Sequence, residues 1–301
     1  MNIVILGHLV LDEIHTFDGG IIESAGGITF PLSAFAAASA PEDVLLPVFP
    51  YGSDAGDVLR GLLRDFPNID ASHCTAVAEA NTRVRLFHDA HAGYNTQLVS
   101  SLGSISRDSL QRVLPQAQLV YLNMMTGQDI LPSEAALLRD PGRLVYLDLH
   151  MIAYRVRPDG HREPAAPSDW AQWARATDVL QCNEREFAAF LPDDADDASR
   201  VRRLFDAADL RCVVITRGEK GADIFLPSGE RAHVPAEPVT RLVDTTGCGD
   251  TFGSVFALGL ARNENVELAA RRAARAASFV ASVPGSHGIG GLRAVLAEAL
   301  P

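Results

Sequence analysis

The chain has 301 residues, of which 47% are hydrophobic and 21% are charged. This length and apolar content exclude a mainly disordered chain and allow one large domain or two small ones with a substantial core. Acidic residues number 38 against 26 basic ones, and the resulting net charge of −12 disfavours nucleic acid and anionic membranes as partners. Small anionic ligands are not excluded, because they respond to local charge.

Apolar runs predict the strands of a buried sheet. The first run covers residues 2–7 and ends in glycine, and similar runs lie at 119–122, 144–147, 178–180 and 212–216. Segments of helical character lie between the later runs at 107–114, 133–139, 168–175 and 184–191. Strands that alternate with helices at this spacing predict a three-layer α/β domain with a mostly parallel sheet.

Two segments, at about 13–25 and 83–100, interrupt this alternation. Both mix apolar and polar residues in the manner of half-exposed strands, which predicts a small β lid that projects from the main domain. Neither an internal repeat nor an interdomain linker is found. We therefore expect one domain over residues 1–301.

The targeting and metal-binding signals are weak. The sequence has no run of 18 apolar residues, and its N-terminus lacks the basic segment of a signal peptide. The four cysteines are widely spaced without a C-x-x-C pair, so neither a disulfide framework nor a thiolate zinc site is expected. The spacing of His88 and His91 is by itself weak evidence for a metal site. We predict a cytoplasmic location.

The segment from Asp244 to Gly253 carries the strongest functional signal. Small residues at 247–249 precede a helical run, so successive backbone N–H groups can converge at a helix N-terminus and bind an anion. The segment matches neither the Walker phosphate loop nor the dinucleotide fingerprint, which disfavours a dinucleotide oxidoreductase. Asp250 within this turn either handles a proton, orients a cation or, like Asp244, caps the helix. Taken alone, the turn favours capping.

Residues 244–250 resemble the D-T-x-G-A-G-D signature of the ribokinase-like (PfkB) carbohydrate kinases, with Cys248 in place of alanine. Five further segments resemble motifs of this family in the same order: 7–12, Gly26-Gly27, 52–56, 183–186 and 216–221. Each motif is weak, but six in order from residue 4 to about 290 form a strong signal. The resemblance implies a three-layer ribokinase-like fold with a small, reduced β lid.

The resemblance also implies an activity. It is that of an ATP-dependent kinase that phosphorylates a hydroxyl of a small sugar-like or nucleoside-like acceptor. Asp250 is then the base that activates the hydroxyl, and the backbone of Gly247, Cys248 and Gly249 forms the anion hole. The residues expected near the acceptor are Asp12, Gly26 and Gly27.

On the donor side, the resemblance implies that Asn183 and Glu186 organise Mg²⁺ and the triphosphate, through water. Mg²⁺ usually keeps several waters, so few protein ligands suffice. Asp244 and Thr246 lie where many relatives bind a monovalent cation such as K⁺. The residues expected near the nucleotide are Asn183, Glu186, Thr216, Gly218 and Gly221.

Some of these residues have a purely structural alternative. Asn183 followed by Glu186 three residues later also fits a helix capping box. Asp12 can simply end a strand, and Gly218 can supply a turn with positive φ. For Asp12 and for the Asn183–Glu186 pair, the resemblance favours the functional interpretation.

The sequence also departs from the family pattern. Pro31 stands where the N-terminal signature has an asparagine, and only residues 13–25 separate Asp12 from Gly26, which is short for a lid strand. The exclusion of water by the lid and its usual pairing into a homodimer are therefore in doubt. The alternative function is a noncatalytic relative that binds a nucleotide and a small molecule.

Four further residues are candidates for the acceptor pocket. Asn123 and Asp148 end core strands, where open α/β sheets bind their ligands. Arg83 and Arg85 alternate with an apolar residue on the second lid segment. They either face the acceptor or lie solvated on the surface.

Overall fold

The computed structural model describes residues 1–15, 19–89, 93–239, 241–283 and 285–298. The strands are β1 (Asn2–Leu6), β2 (Leu9–His15), β3 (Ile21–Gly27), β4 (Val44–Val48), β5 (Pro50–Tyr51), β6 (Thr75–Ala76), β7 (Arg83–Asp89), β8 (Gly93–Ser100), β9 (Leu119–Asn123), β10 (Leu144–Asp148), β11 (Tyr154–Val156), β12 (Arg162–Pro164), β13 (Val179–Asn183), β14 (Cys212–Thr216), β15 (Ala222–Phe225) and β16 (Arg231–Val234). The helices are α1 (Thr29–Ala38), α2 (Gly56–Asp65), α3 (Arg107–Val113), α4 (Trp170–Ala176), α5 (Glu184–Phe190), α6 (Asp197–Ala207), α7 (Cys248–Ala261), α8 (Val266–Val280) and α9 (Leu292–Ala297).

The central sheet has the strand order β16-β15-β14-β13-β10-β9-β1-β4. All neighbours from β14 to β4 pair in parallel, and β15 and β16 continue the sheet antiparallel. Its strands are apolar on both faces because helices cover both. In β1, Ile3 and Ile5 pack into the core with α7 and α8, whereas Val4 and Leu6 pack into the core with α4 and α5. The predicted α/β fold with a mostly parallel sheet is confirmed.

One predicted helix takes a different form. The segment expected to be helical at 133–139 is a 3₁₀ helix over Pro132–Leu137. The segment is short, and 3₁₀ helices are typically only a few residues long.

A second, four-stranded sheet has the order β3-β2-β7-β8 and is called the lid sheet here. β2 pairs antiparallel with β3 and parallel with β7. The first lid strand begins at Leu9 rather than near residue 13. Its first two residues are buried in the core, and only the rest of the strand is partly exposed. The alternative in which Asp12 simply ends a strand is wrong, because β1 ends at Leu6 and Asp12 lies within β2.

Two global features bear on the sequence predictions. Across the described ranges, no helix has both the length and the apolar character needed to span a bilayer. All four cysteines are free thiols.

Candidate functional site

The N-terminus of α7 is an open cluster of backbone donors. Gly247 has a left-handed conformation (φ 79°), and a Cβ there would lie 2.1 Å from Cδ1 of Phe30. No side chain caps the helix. Of the backbone N–H groups expected to form the anion hole, that of Cys248 is engaged, because it donates a 3.3 Å hydrogen bond to the carbonyl of Thr245. Among the described residues, nothing accepts a hydrogen bond from the N–H groups of Gly249 and Asp250. These free donors and the positive end of the helix dipole fit an anion.

Asp250 lies in the first turn of α7 and points toward the sheet instead of capping the helix. Its side chain is buried, and Oδ1 accepts a 2.7 Å hydrogen bond from Nδ2 of Asn123 at the end of β9. Nε2 of His150 lies 3.3 Å from the same oxygen. Oδ2 has no hydrogen bond to any residue that the structure describes. The capping alternative for Asp250 is therefore wrong, and one carboxylate oxygen is held while the other is available.

His150 connects three buried carboxylates. Its Nε2 lies 3.2 Å from Oδ2 of Asp148 and 3.3 Å from Oδ1 of Asp250, and its Nδ1 lies 3.8 Å from Oε1 of Glu186. Burial by itself lowers the pKa of this imidazole, but the adjacent carboxylates of Asp148 and Asp250 raise it well above the usual range. His150 therefore carries a positive charge that partly balances the cluster.

The sequence offered no motif for His150. It follows the end of β10 by two residues and has φ 37°, a left-handed conformation that is uncommon for residues other than glycine. The only sequence signal that pointed to this region was Asp148, which was identified from its position at a strand end. The approach of His150 to Asp250 depends on the fold.

Asp148 is held by side chains from neighbouring strands. Its Oδ2 accepts hydrogen bonds of 3.1 Å from the hydroxyl of Tyr121 and from Nε2 of Gln181. Burial raises the pKa of Asp148, and the charge of His150 opposes this rise. Gln181 also donates a 3.0 Å hydrogen bond to the carbonyl of Gly249, which ties the sheet to the start of α7.

Asn183 and Glu186 form the capping box at the start of α5. Oδ1 of Asn183 accepts from the N–H groups of Arg185 and Glu186, and Oε2 of Glu186 accepts from the N–H of Asn183. Burial raises the pKa of Glu186. Asn183 is therefore engaged in capping, whereas Oε1 of Glu186 is directed toward His150. The structural alternative for this pair is confirmed, and it leaves one glutamate oxygen for another role.

Beside this pair, Thr216 ends β14 and is in register with Asn183 on β13. A 3₁₀ turn follows, in which Gly218 (φ 57°) and Gly221 (φ 88°) adopt left-handed conformations. A Cβ at Gly221 would lie 2.0 Å from the carbonyl oxygen of Val234. Gly221 is thus needed for packing, and the turn leads from the sheet edge that carries Asn183.

The residues expected at the acceptor lie together at the base of the lid sheet. A Cβ at Gly26 would lie 1.9 Å from Oδ2 of Asp12, and a Cβ at Gly27 (φ 61°) would lie 2.3 Å from the carbonyl oxygen of His8. Burial raises the pKa of Asp12 to about 7, and the nearby charge of Arg162 opposes this rise. The paired glycines therefore let a protonatable carboxyl pack directly on the backbone.

Helix α1 connects this group to the turn at 247–249. Phe30 packs against Gly247, and the carbonyl of Pro31 accepts a 3.4 Å hydrogen bond from the hydroxyl of Ser254 on α7. Pro31 and its neighbours are buried. The residues expected at the acceptor and the residues around Asp250 thus belong to one continuous region.

Other candidates have different surroundings. Arg83 pairs with Asp54 at 2.8 Å and Arg85 pairs with Glu13 at 2.9 Å, so both are engaged in partly exposed ion pairs on the lid sheet. Asp244 accepts a 2.9 Å hydrogen bond from the N–H of Thr246. His91 lies outside the described residues.

The donor set next to Asp250 suits a divalent cation. Atoms of Asp148, His150 and Asp250 lie within 4.8 Å of one another, and Oε1 of Glu186 faces the same histidine. Three carboxyl groups around one imidazolium leave excess negative charge once all three are ionised. Carboxylate oxygens are the ligands that Mg²⁺ prefers.

The fold is that of a ribokinase-like α/β protein. The model of the pfkB family carbohydrate kinases matches residues 33–289, and the chain belongs to this family. Kinases of this family bind ATP and a small-molecule acceptor.

The individual relatives either match only part of this chain or share low sequence identity with it. A bifunctional protein HldE from Rhodopseudomonas palustris is 32% identical over 131 residues, which cover 42% of this chain and 26% of the relative. The chain thus matches about a quarter of the length of that relative. One similar solved structure is a pyrophosphate-dependent kinase in the ribokinase family, complexed with a pyrophosphate analog and myo-inositol. Its TM-score is 0.79 at 15% identity, and the alignment covers 95% of this chain and 96% of the kinase chain. Arabidopsis thaliana ribokinase, complexed with ribose and ATP, has a TM-score of 0.74 at 18% identity, with 99% of each chain covered.

Proposed function

We propose that this protein transfers the γ-phosphate of ATP to a hydroxyl of a small sugar-like or nucleoside-like acceptor. The observation that carries the proposal is the position of Asp250. It is a buried carboxylate with one oxygen held and one available, in the same helical turn as two free backbone N–H groups. A base and an anion hole in such proximity are what phosphoryl transfer to a hydroxyl requires.

In this mechanism the acceptor hydroxyl lies against Oδ2 of Asp250. The proton moves to Oδ2, the acceptor oxygen bonds to the γ-phosphorus, and the bond from that phosphorus to the bridging oxygen breaks to release ADP. The N–H groups of Gly249 and Asp250 stabilise the charge on the transferred group. Asn123 and His150 hold Oδ1, so that Oδ2 keeps its orientation.

Two cation sites accompany this proposal. Glu186 through Oε1, and Asp148, are the carboxylates that would hold Mg²⁺, whose charge would offset that of the phosphates. Asn183 then acts by fixing the start of α5 and the backbone beside Glu186. Thr216, Gly218 and Gly221 adjoin the nucleotide. Asp244 and Thr246 are the proposed residues for a monovalent cation such as K⁺.

The test is Asp250→Asn, which keeps the size of the side chain and removes the base. We expect kcat to fall at least about a thousandfold while ATP still binds, since loss of a general base and of its orienting contacts is that costly. ADP release is measured across sugars, polyols and nucleosides with Mg²⁺ and K⁺ present, and ATP binding is measured by calorimetry. Asp57→Asn, at an exposed position on α2, is the matched control.

Two outcomes would contradict this proposal. Turnover retained by Asp250→Asn would rule out the mechanism. If the wild type bound ATP and a small molecule but transferred no phosphate to any acceptor, the noncatalytic alternative would hold. A parallel series with pyrophosphate tests the donor, because structures similar to this one include a pyrophosphate-dependent kinase.

A further inference from the structure

Several buried polar atoms near the ends of β1 and β9 have no hydrogen-bond partner among the described residues. They are Nε2 of His8, Oδ1 of Asn123, Oδ1 of Asp129 and Nε of Arg162. The first three residues are at most 1% exposed. A buried polar group without a partner costs about 1–3 kcal/mol, so folds rarely leave several in one place without a ligand or water to satisfy them.

These atoms adjoin one turn, residues 123–129. Asn123 begins the turn, and Asp129 ends it with Oδ1 lying 4.0 Å from Nδ1 of His8. Arg162 donates a 2.8 Å hydrogen bond from Nη2 to the carbonyl of Met125. The four groups therefore belong to one region, which begins where Asn123 holds Asp250.

Arg162 is the unusual member of the group. It forms no ion pair with any carboxylate in the described ranges, and burial lowers its pKa to about 10. Asp12 and Asp129 are near enough to oppose this fall. The other oxygen of Asp129 is engaged, because it accepts from the N–H and hydroxyl of Thr126 and from the N–H of Gly127.

The two other arginines considered for the acceptor pocket contrast with Arg162. Arg83 and Arg85 are ion-paired on the lid sheet. A largely buried guanidinium that forms no ion pair with the neighbouring carboxylates of Asp12 and Asp129 is costly, whereas its fixed fork binds carboxylate or phosphate oxygens strongly when they come within hydrogen-bond distance. The missing partner of Arg162 is therefore best supplied by an anion that enters the site.

We propose that Arg162 binds a carboxylate or phosphate group of the acceptor, and that the acceptor is a hydroxylated anion rather than a neutral sugar or nucleoside. This inference rests on the proposed function and narrows its substrate class. The anionic group lies at Arg162, and the hydroxyl that receives the phosphate lies at Asp250. Met125 and Asn123, two residues apart and thus within about 7 Å, connect the two positions. The reacting hydroxyl and the anionic group are therefore separate groups of the acceptor.

The remaining groups suit the hydroxyls of such a molecule. Oδ1 of Asn123 and Oδ1 of Asp129 are buried oxygens that can accept hydroxyl protons. Asp12, with a pKa of about 7, is protonated in a large part of the molecules at neutral pH. In that form it donates a hydrogen bond to the acceptor and does not repel its charge.

The experiment measures binding in the absence of nucleotide, so that it does not depend on turnover. The probes are aldonates with five to seven carbons, the corresponding sugar monophosphates, and the neutral parent sugars, all measured by calorimetry with the whole chain. We expect the best anionic probe to bind at least tenfold more tightly than its neutral parent. Whether that probe is an aldonate or a phosphate identifies the anionic group.

Arg162→Gln should weaken binding of that probe at least tenfold and change binding of the neutral parent less than threefold. Arg162→Lys keeps the charge but lacks the fork, so its affinity for the anionic probe should lie between those of the wild type and Arg162→Gln. Arg155→Gln, an exposed position on the same hairpin, is the matched control and should leave all affinities unchanged. The melting temperature of Arg162→Gln without ligand should equal or exceed that of the wild type, because a purely structural arginine would lower it when removed.

The proposal is wrong if the neutral parents bind as tightly as the anions, if no anionic probe binds, or if Arg162→Gln binds the anions normally. Failure of the proposed function gives a different result. In that case the anionic probes bind through Arg162, but no phosphate is transferred to them.

Discussion

Nδ2 of Asn123 donates a 2.7 Å hydrogen bond to Oδ1 of Asp250, although 127 positions separate the two residues in the chain. The bond joins the end of a core strand to the first turn of α7. It holds the carboxylate that we propose as the catalytic base and leaves its second oxygen available.

Asn123→Ala removes this bond and lets the Asp250 carboxylate rotate. We expect kcat to fall about 10- to 100-fold, because a small misplacement of a reacting group has a cost of that size. The KM for ATP should change little, since Asn123 adjoins the acceptor region. Steady-state kinetics with each substrate varied in turn checks this split, and a melting curve confirms folding. An unchanged kcat would mean that Asn123 does not position the base.

His150→Asn removes the charge that balances three buried carboxylates, and asparagine tolerates the left-handed backbone. We expect the free energy of unfolding at about pH 6 to fall by about 3 kcal/mol, as when one partner of a buried ion pair is removed. The wild-type advantage should be full below the ordinary pKa of 6.5 and disappear as the pH rises through the raised pKa of the folded state.

Urea unfolding of both proteins over a pH series measures this dependence. His73→Asn, on the surface, is the control for replacing a histidine by asparagine. A stability difference that does not change with pH would exclude a charged His150.

Asp12→Asn tests the raised pKa of this carboxyl. The folded state holds the proton of Asp12 up to about pH 7, whereas the unfolded chain loses it near 3.8. Between these values the folded state binds more protons, so this group lowers stability as the pH rises. The variant lacks this contribution, and its stability relative to the wild type should therefore increase from about pH 4 to about pH 7. Urea unfolding at several pH values is the measurement, and Asp57→Asn, at an exposed position, is the control.

Gly247→Ala and Gly249→Ala separate packing from anion binding at the same turn. At Gly247 the backbone is left-handed and a Cβ would lie 2.1 Å from Cδ1 of Phe30, so we expect a loss of at least about 1 kcal/mol in stability. At Gly249 no described atom lies within 4 Å of the place that a Cβ would occupy. Replacing glycine by alanine within a helix stabilises the helix by up to about 1 kcal/mol.

Gly249→Ala should therefore fold at least as well as the wild type. If phosphate approaches the N–H groups there, the added methyl should still lower kcat/KM for ATP about tenfold or more. Thermal melts and kinetics on both variants make the comparison. Full activity in Gly249→Ala would show that the phosphate does not approach this residue.

The outcome of the sequence predictions depends on the kind of signal. The turn at 247–249 and Asp250 were identified because short backbone motifs at a helix N-terminus are local in sequence. Asn123 and Asp148 were identified because parallel strands end at one edge of the sheet. The position of Asp12 within the lid sheet was missed, since buried Leu9 and Val10 look alike in a core strand and at the start of a lid strand.

The amino-acid sequence by itself indicated the alternating strands and helices of the core and the parallel sheet, because hydrophobic periodicity acts over a few neighbouring residues. The family was indicated by the resemblance of six short motifs in order. Only the tertiary structure decided that Asp250 binds Asn123 and His150 instead of capping its helix, and that Arg162, only partly exposed, forms no ion pair with any carboxylate in the described ranges. These relationships join residues from different strands and loops. They depend on the burial and charge of groups that come together only when the chain has folded.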